Sequence, residues 1–176
     1  MKQTERNQFD NRDSRELGKS AQERFNILAQ RRGWEIIAAT REQDIHEHWD
    51  FLIMKKSSGE EYKVDVKARK RIGRWDDEVQ DEWIWIEFHG VRQNDLGWLF
   101  GGQADLLAFE TLENFVIITK SKLQEIANHL VSKSEKVLSV KEAKYKVYSR
   151  AGRPDMISLI EMKHIRLNAW DTWVKT

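Results

Sequence analysis

The sequence predicts an α/β fold: a central mixed β-sheet flanked by helices, with extra strands at the C-terminus. Three observations carry this. Leu17, Ala21, Phe25, Leu28 and Ala29 recur at helical spacing near the start of the chain. Short runs rich in β-branched and aromatic residues then follow, several with strict alternation and turn residues between them. Helical spacing returns once, at Leu123, Ile126, Ala127 and Leu130.

In order, residues 1–13 (MKQTERNQFDNRD) are polar and expected to be a disordered tail, leaving 14–176 as a single domain. Asp13 or Ser14 is expected to cap the first helix, Asp13 and Glu16 fit a capping box, and Gly33 ends the helix. Residues 34–40 (WEIIAAT) read as a strand, and REQDIHEH after them as a loop. Strands are expected at 49–55 and 62–70, with Ser57, Ser58 and Gly59 as the turn between them. The acidic stretch 76–82 reads as a loop or flap, and 82–88 (EWIWIEF) as an alternating strand. The glycine-rich stretch 89–102 is a loop or a short helix packed by Trp98, Leu99 and Phe100. Strands at 104–110 and 115–119 lead to a helix that Ser121 would cap. Further strands are expected at 145–149 and 156–160 around Gly152-Arg153-Pro154, and 167–174 would pack back on the body through Trp170 and Trp173.

Composition sets the bounds. A chain of 176 residues can bury a substantial core. With no cysteine it has neither a disulfide framework nor a thiolate metal site, which is compatible with a reducing cytoplasm. No apolar run approaches a membrane span, and the N-terminal stretch lacks the apolar centre of a secretion signal. The net charge of +1 excludes a general polyanion coat, so nucleic acid would have to meet a local basic patch. The eight tryptophans are expected mainly in packing.

The chemistry concentrates at 46–71. Along the second strand of the hairpin, Lys63, Asp65 and Lys67 share one face, while Tyr62, Val64, Val66 and Ala68 share the other. With the turn at 57–59, Asp50 falls opposite Val66, and a one-residue change of register brings it onto the face of Asp65 and Lys67. Two carboxylates so close repel, and a hard cation such as Mg²⁺ or Mn²⁺ relieves that through oxygen ligands. Such an ion lowers the pKa of its bound water. Lys67 could then position that water or stabilise charge developing on the phosphorane. Asp44 is a rival for the first carboxylate, and His46 and His48 flank it. The competing reading is a surface ion pair on an ordinary hairpin.

Asp50, followed on the next strand by Asp65-Val66-Lys67, resembles the PD-(D/E)xK nuclease superfamily, which includes restriction endonucleases, Holliday-junction resolvases and phage and DNA-repair nucleases. The resemblance covers residues 14–120, with Trp49 where the family name has proline. It implies a restriction-endonuclease-like core and metal-dependent endonucleolytic hydrolysis of DNA. Asp50, Asp65 and the Val66 backbone carbonyl would bind Mg²⁺ or Mn²⁺, and Lys67 would assist the attacking water. Members often place a glutamate from the first helix near the metal. Glu23 has the type, yet the helical wheel puts Gln22 at the edge of the apolar stripe and Glu23 away from it. The resemblance also implies that Gln103 lies near the catalytic edge.

Glu87 is a further candidate contact if its strand face looks at the site. Arg69, Lys70, Arg71 and Arg74 follow the D-x-K strand, where a phosphate backbone would be held, or simply form a solvated strand end. DNA is the expected partner, and a homodimer would bring two sites to two strands. The alternatives are a catalytically inactive relative that binds nucleic acid or a protein, and an assembly protein using a tryptophan-rich face.

Overall fold

The computed structural model describes residues 11–73 and 76–176, with side chains from residue 14 onward. Its elements run α1 (Asn11–Arg31), β1 (Glu35–Ala38), α2 (Arg41–Glu47), β2 (Phe51–Lys55), β3 (Glu60–Lys67), β4 (Trp83–His89), α3 (Gly97–Gly101), β5 (Leu106–Glu110) and β6 (Asn114–Thr119). They continue with α4 (Lys120–Leu130), β7 (Ser132–Val137), β8 (Lys146–Tyr148), β9 (Met156–Glu161), α5 (Met162–Leu167) and β10 (Asp171–Val174).

The central sheet is mixed and flanked by helices. Its strand order is β1-β2-β3-β5-β6-β10. β3 and β5 are parallel, and the other neighbours pair antiparallel. One face carries Ile53, Val64, Val66, Leu106, Ala108, Phe115 and Ile117, and it is covered by Ala21, Phe25, Leu28 and Ala29 of α1. This is the apolar stripe working as its spacing predicts. Phe25 anchors it, stacked on Trp173 with ring centroids 5.1 Å apart and edge-on to Phe115 at 5.4 Å. Trp173 is 1% exposed, so its burial docks β10 onto the sheet edge.

The opposite face presents Leu107, Phe109, Val116 and Ile118. Leu99 of α3, Leu123 and Ala127 of α4, and Ile84, Ile86 and Phe88 of β4 pack against it. Here β4 belongs to a second sheet of order β4-β9-β8-β7. The strand expected at 82–88 thus pairs with the C-terminal strands and forms a separate layer. Among the described residues no helix is long and apolar enough to cross a membrane.

Several local expectations are corrected. The first helix already includes Asn11, so Asp13 and Ser14 lie inside it and do not cap it, and residues 11–13 belong to the helix. The expected tail otherwise lies outside the described residues. The stretch read as a loop at 41–48 is mostly α2, started by a capping box: the Thr40 hydroxyl accepts from Gln43 N–H and the Gln43 side chain accepts from Thr40 N–H. The cap of α4 is Thr119, whose hydroxyl accepts from Lys122 N–H at 3.3 Å, with Ser121 already in the first turn. Neither β7 nor α5 was expected.

Trp173→Ala is expected to cost about 3–5 kcal/mol, since it removes a buried indole from the aromatic cluster. Trp170→Ala, at a residue 37% exposed, is expected to cost about 1 kcal/mol or less. Urea denaturation followed by far-ultraviolet circular dichroism separates the two.

Candidate active site

The β2–β3 hairpin builds the site. Its register pairs Phe51 with Val64 and Lys55 with Glu60. That is one residue from the simplest expectation, because the loop spans Lys56–Gly59, closed by Gly59 N–H to Lys55 C=O at 2.8 Å. Gly59 takes a positive φ of 72°, which suits a glycine. Carried one step past Phe51, the register sets Asp50 across from Asp65 and not Val66.

β2 ends at this point, and the Asp50 carboxylate continues the hydrogen bonding that the strand gives up. Its Oδ2 accepts the Val66 backbone N–H at 2.7 Å. Its Oδ1 accepts from Gln22 Nε2 at 2.6 Å, a side chain that α1 brings in from the covered face. Asp65, on the buried middle of β3, is 5% exposed. Lys67 Nζ lies 2.6 Å from Asp65 Oδ2 and 4.4 Å from the centroid of the Trp98 ring. The Lys67 contact is an ion pair, and among the described residues the buried Asp65 Oδ2 has no hydrogen-bond partner. Burial first, and then the charge of Asp65, push the Asp50 carboxyl up to about 7. The Val66 N–H and Lys67 act in the opposite sense.

The accessory candidates separate clearly. Gln22 reaches Asp50, while Glu23 is exposed on α1. Glu87 is half-buried on β4, accepts the Trp98 N–H at 3.3 Å, and senses the charge of Lys67. Burial raises its pKa, partly offset by that N–H and by Lys67. Gln103 is exposed and accepts from Lys63 Nζ at 3.2 Å, one repeat along the strand face from Asp65. Asp44 sits on α2 and only adds to the field that raises Asp50. His48 ends α2 with a positive φ of 53° and approaches Asp95 at 3.8 Å. His46 stays on α2.

The basic run is dispersed. Arg69 is paired with Asp81 at 2.5 Å and reaches the Val79 carbonyl. Asp81 also accepts the Leu112 N–H at 2.6 Å, so this pair staples the segment after β3 to the β5–β6 turn. Lys70 is exposed, and the half-buried Arg71 offers its carbonyl to Trp85 Nε1 at 3.3 Å. Arg74 lies outside the described residues. Trp98 is the neighbour of Lys67 that sequence reasoning missed. The available signal was a tryptophan in a glycine-rich loop, which reads equally well as packing.

These donors fit a hard divalent cation. The Asp65 charge adds to the cost of charging Asp50, and among the described residues the buried Asp65 Oδ2 has no hydrogen-bond partner. Among the described residues no group of three His, Asp or Glu side chains gathers there, so a cation would depend on backbone carbonyl and water oxygens as well.

No family model matches the chain, and no curated protein matches it. Among solved structures, a bacterial homing endonuclease, I-Ssp6803I, aligns with a TM-score of 0.44 and 16% identity, over 61% of this chain and 70% of that one.

The raised Asp50 pKa predicts a pH dependence. A carboxyl titrating near 4 in the unfolded chain and at about 7 in the folded one binds more protons when folded between those values. Stability therefore falls as pH rises from about 4 to about 7 and is level beyond both limits. Asp50→Asn should flatten this fall and melt above the wild type at pH 8, with little difference at pH 4. Thermal melting across that range checks it.

Proposed function

We propose that the protein is a metal-dependent endonuclease that hydrolyses phosphodiester bonds in DNA. The observation that carries this is the meeting of Asp50 and Asp65 from adjoining strands, with the Lys67 ammonium 2.6 Å from Asp65. Burial and the Asp65 charge make Asp50 costly to ionise, and a group perturbed in this way beside a second acid and a lysine favours a chemical role over a structural one. The resemblance of Asp50 and Asp65-Val66-Lys67 to the PD-(D/E)xK pattern supports the same reading.

Asp50 and Asp65, with the Val66 carbonyl, would hold Mg²⁺ or Mn²⁺. The ion would supply an acidified water and neutralise charge on the phosphate. The remaining roles belong to the chain. Gln22 fixes the rotation of the Asp50 carboxylate by donating to Oδ1, and the Val66 N–H fixes it from the other side. Lys67 orients the attacking water and offsets the negative charge that builds on the phosphorane. Glu87, close enough to feel Lys67, tempers the ammonium field.

Asp65→Ala and Lys67→Ala should each lower the rate of Mg²⁺-dependent cleavage of plasmid DNA by about 10²-fold or more while circular dichroism stays native. EDTA should stop the wild-type reaction, and Mn²⁺ should restore it. Wild-type cleavage that persists in both variants would refute the assignment. DNA binding without any metal-dependent product would favour the inactive, binding-only relative.

A further inference from the structure

Lysine brings a flexible four-carbon stem to any site, and its ammonium needs something to hold it in place. Asp65 attracts Lys67 across 2.6 Å from the strand face they share, and among the described residues that carboxylate oxygen has no hydrogen-bond partner. A second neighbour is the Trp98 indole, whose ring centroid lies 4.4 Å from Nζ. That is within the range of a cation–π contact, strongest for tryptophan and strengthened where water is sparse. Lys67 is 24% exposed in its side chain, so water is partly excluded there.

The indole is itself held firmly. Its ring packs edge-on to Phe109 at 6.4 Å, and Phe109 stands beside Lys67 in the parallel β3–β5 register. The backbone around it is tied down too: the Trp98 main-chain N–H donates to Glu87 Oε1 at 3.3 Å, and Gln124 of α4 donates to the Leu99 carbonyl at 2.8 Å. Gly97 adopts a φ of 69°, and a Cβ there would stand 2.9 Å from the Glu87 carbonyl, so the segment lies against β4 with no room for a side chain. Gly102 closes the other end, where a Cβ would meet the Trp98 carbonyl at 2.5 Å. Both glycines are therefore needed for α3 to sit where it does. A five-residue helix pinned to β4, β5 and α4 presents one flat aromatic face to one ammonium.

We propose that Trp98 is a positioning residue for Lys67, its indole face setting the direction in which the ammonium meets the reacting phosphate. This rests on the role given to Lys67 above. The ring touches no reacting atom and acts only through the lysine. Space-filling alone would be served by any apolar side chain of similar reach, whereas positioning needs a π face.

The test uses the full chain carrying Trp98→Leu, which keeps apolar volume against Phe109 without a ring, and Trp98→Phe, which restores one. The first readout needs no activity: acylation of Lys67 by acetic anhydride, followed by peptide mass spectrometry, with Lys63 as internal reference. Trp98→Leu is expected to raise Lys67 labelling several-fold, and Trp98→Phe to return it toward wild type. The second readout is steady-state DNA cleavage with Mg²⁺. Trp98→Leu is expected to lower kcat by about tenfold or more with KM within about twofold, and Trp98→Phe to recover most of the loss. Wild-type labelling in a folded Trp98→Leu protein would overturn the proposal, as would equal kcat in the Leu and Phe variants beside an active wild type. If Lys67 labelling responds but the wild type cuts no DNA, the placement by Trp98 stands and the nuclease reading falls.

Discussion

Two carboxylates meet one step beyond the last rung of the β2–β3 pairing, with one ammonium close enough to act on both. The local structure is arranged around that electrostatic problem. The turn at Lys56–Gly59 sets the register, and the register decides that Asp50 meets Asp65. Because β2 stops at Phe51, the Val66 N–H is left for the Asp50 carboxylate to bind. The first helix covers one side and supplies Gln22, and the second sheet with α3 covers the other and supplies Glu87 and Trp98. Each layer thus contributes a group to the site as well as apolar surface to a core. Burial is what makes the charges interact strongly, since a carboxylate in bulk water would scarcely feel its neighbour.

The same layering separates rigid from adaptable parts. Asp50, Asp65 and Lys67 sit on or beside strands whose apolar neighbours, Ile53, Val64 and Val66, are almost fully buried. Sites built on such strands keep their geometry better than sites on loops. The segment after β3 is held differently, by the Arg69–Asp81 pair and the bridge between Lys70 and Gln80. Arg69 therefore serves as a structural tie for the segment that leaves the site.

Much of this was legible in the residues. The stripe from Leu17 to Ala29, the alternation on either side of Ser58, and the short apolar runs at 104–119 each name their element because burial imposes a period on the sequence. The helix wheel also separated Gln22 from Glu23 on spacing alone. Other features were harder for definite physical reasons. The helix α2 buries no residue, so hydrophobic periodicity was silent, although Thr40 and Gln43 stood at capping-box spacing. The edge strand β7 reads SKSEKV and is exposed along most of its length, so no alternation marks it. The second sheet joins β4 to β9, paired from Trp83↔Glu161, across most of the intervening chain, and local patterns carry no information about such partners. The one-residue difference in hairpin register followed from turn length, which turn residues alone do not determine.

Elsewhere the central sheet shows how a buried carboxylate is treated when its role is to hold the fold. Glu110 on β5 is 5% exposed, the same as Asp65. Burial pushes its pKa up, but Arg24 at 2.6 Å and Lys175 at 2.8 Å outweigh that and leave it below the ordinary range. Two cations attend one acid, and the arrangement fastens α1 and the end of the chain to the sheet. At the hairpin the ratio is reversed. Two acids share one lysine, Asp50 is driven up to about 7, and among the described residues an oxygen of Asp65 has no hydrogen-bond partner. A sheet that neutralises Glu110 so fully could have neutralised Asp65 in the same way by placing a second base beside it. Holding the Asp50 carboxyl up at about 7 lowers stability at neutral pH. A cost of this kind at Asp50, reversed at Glu110 on the strand next to β3, supports the metal site proposed above over an ion pair kept for folding.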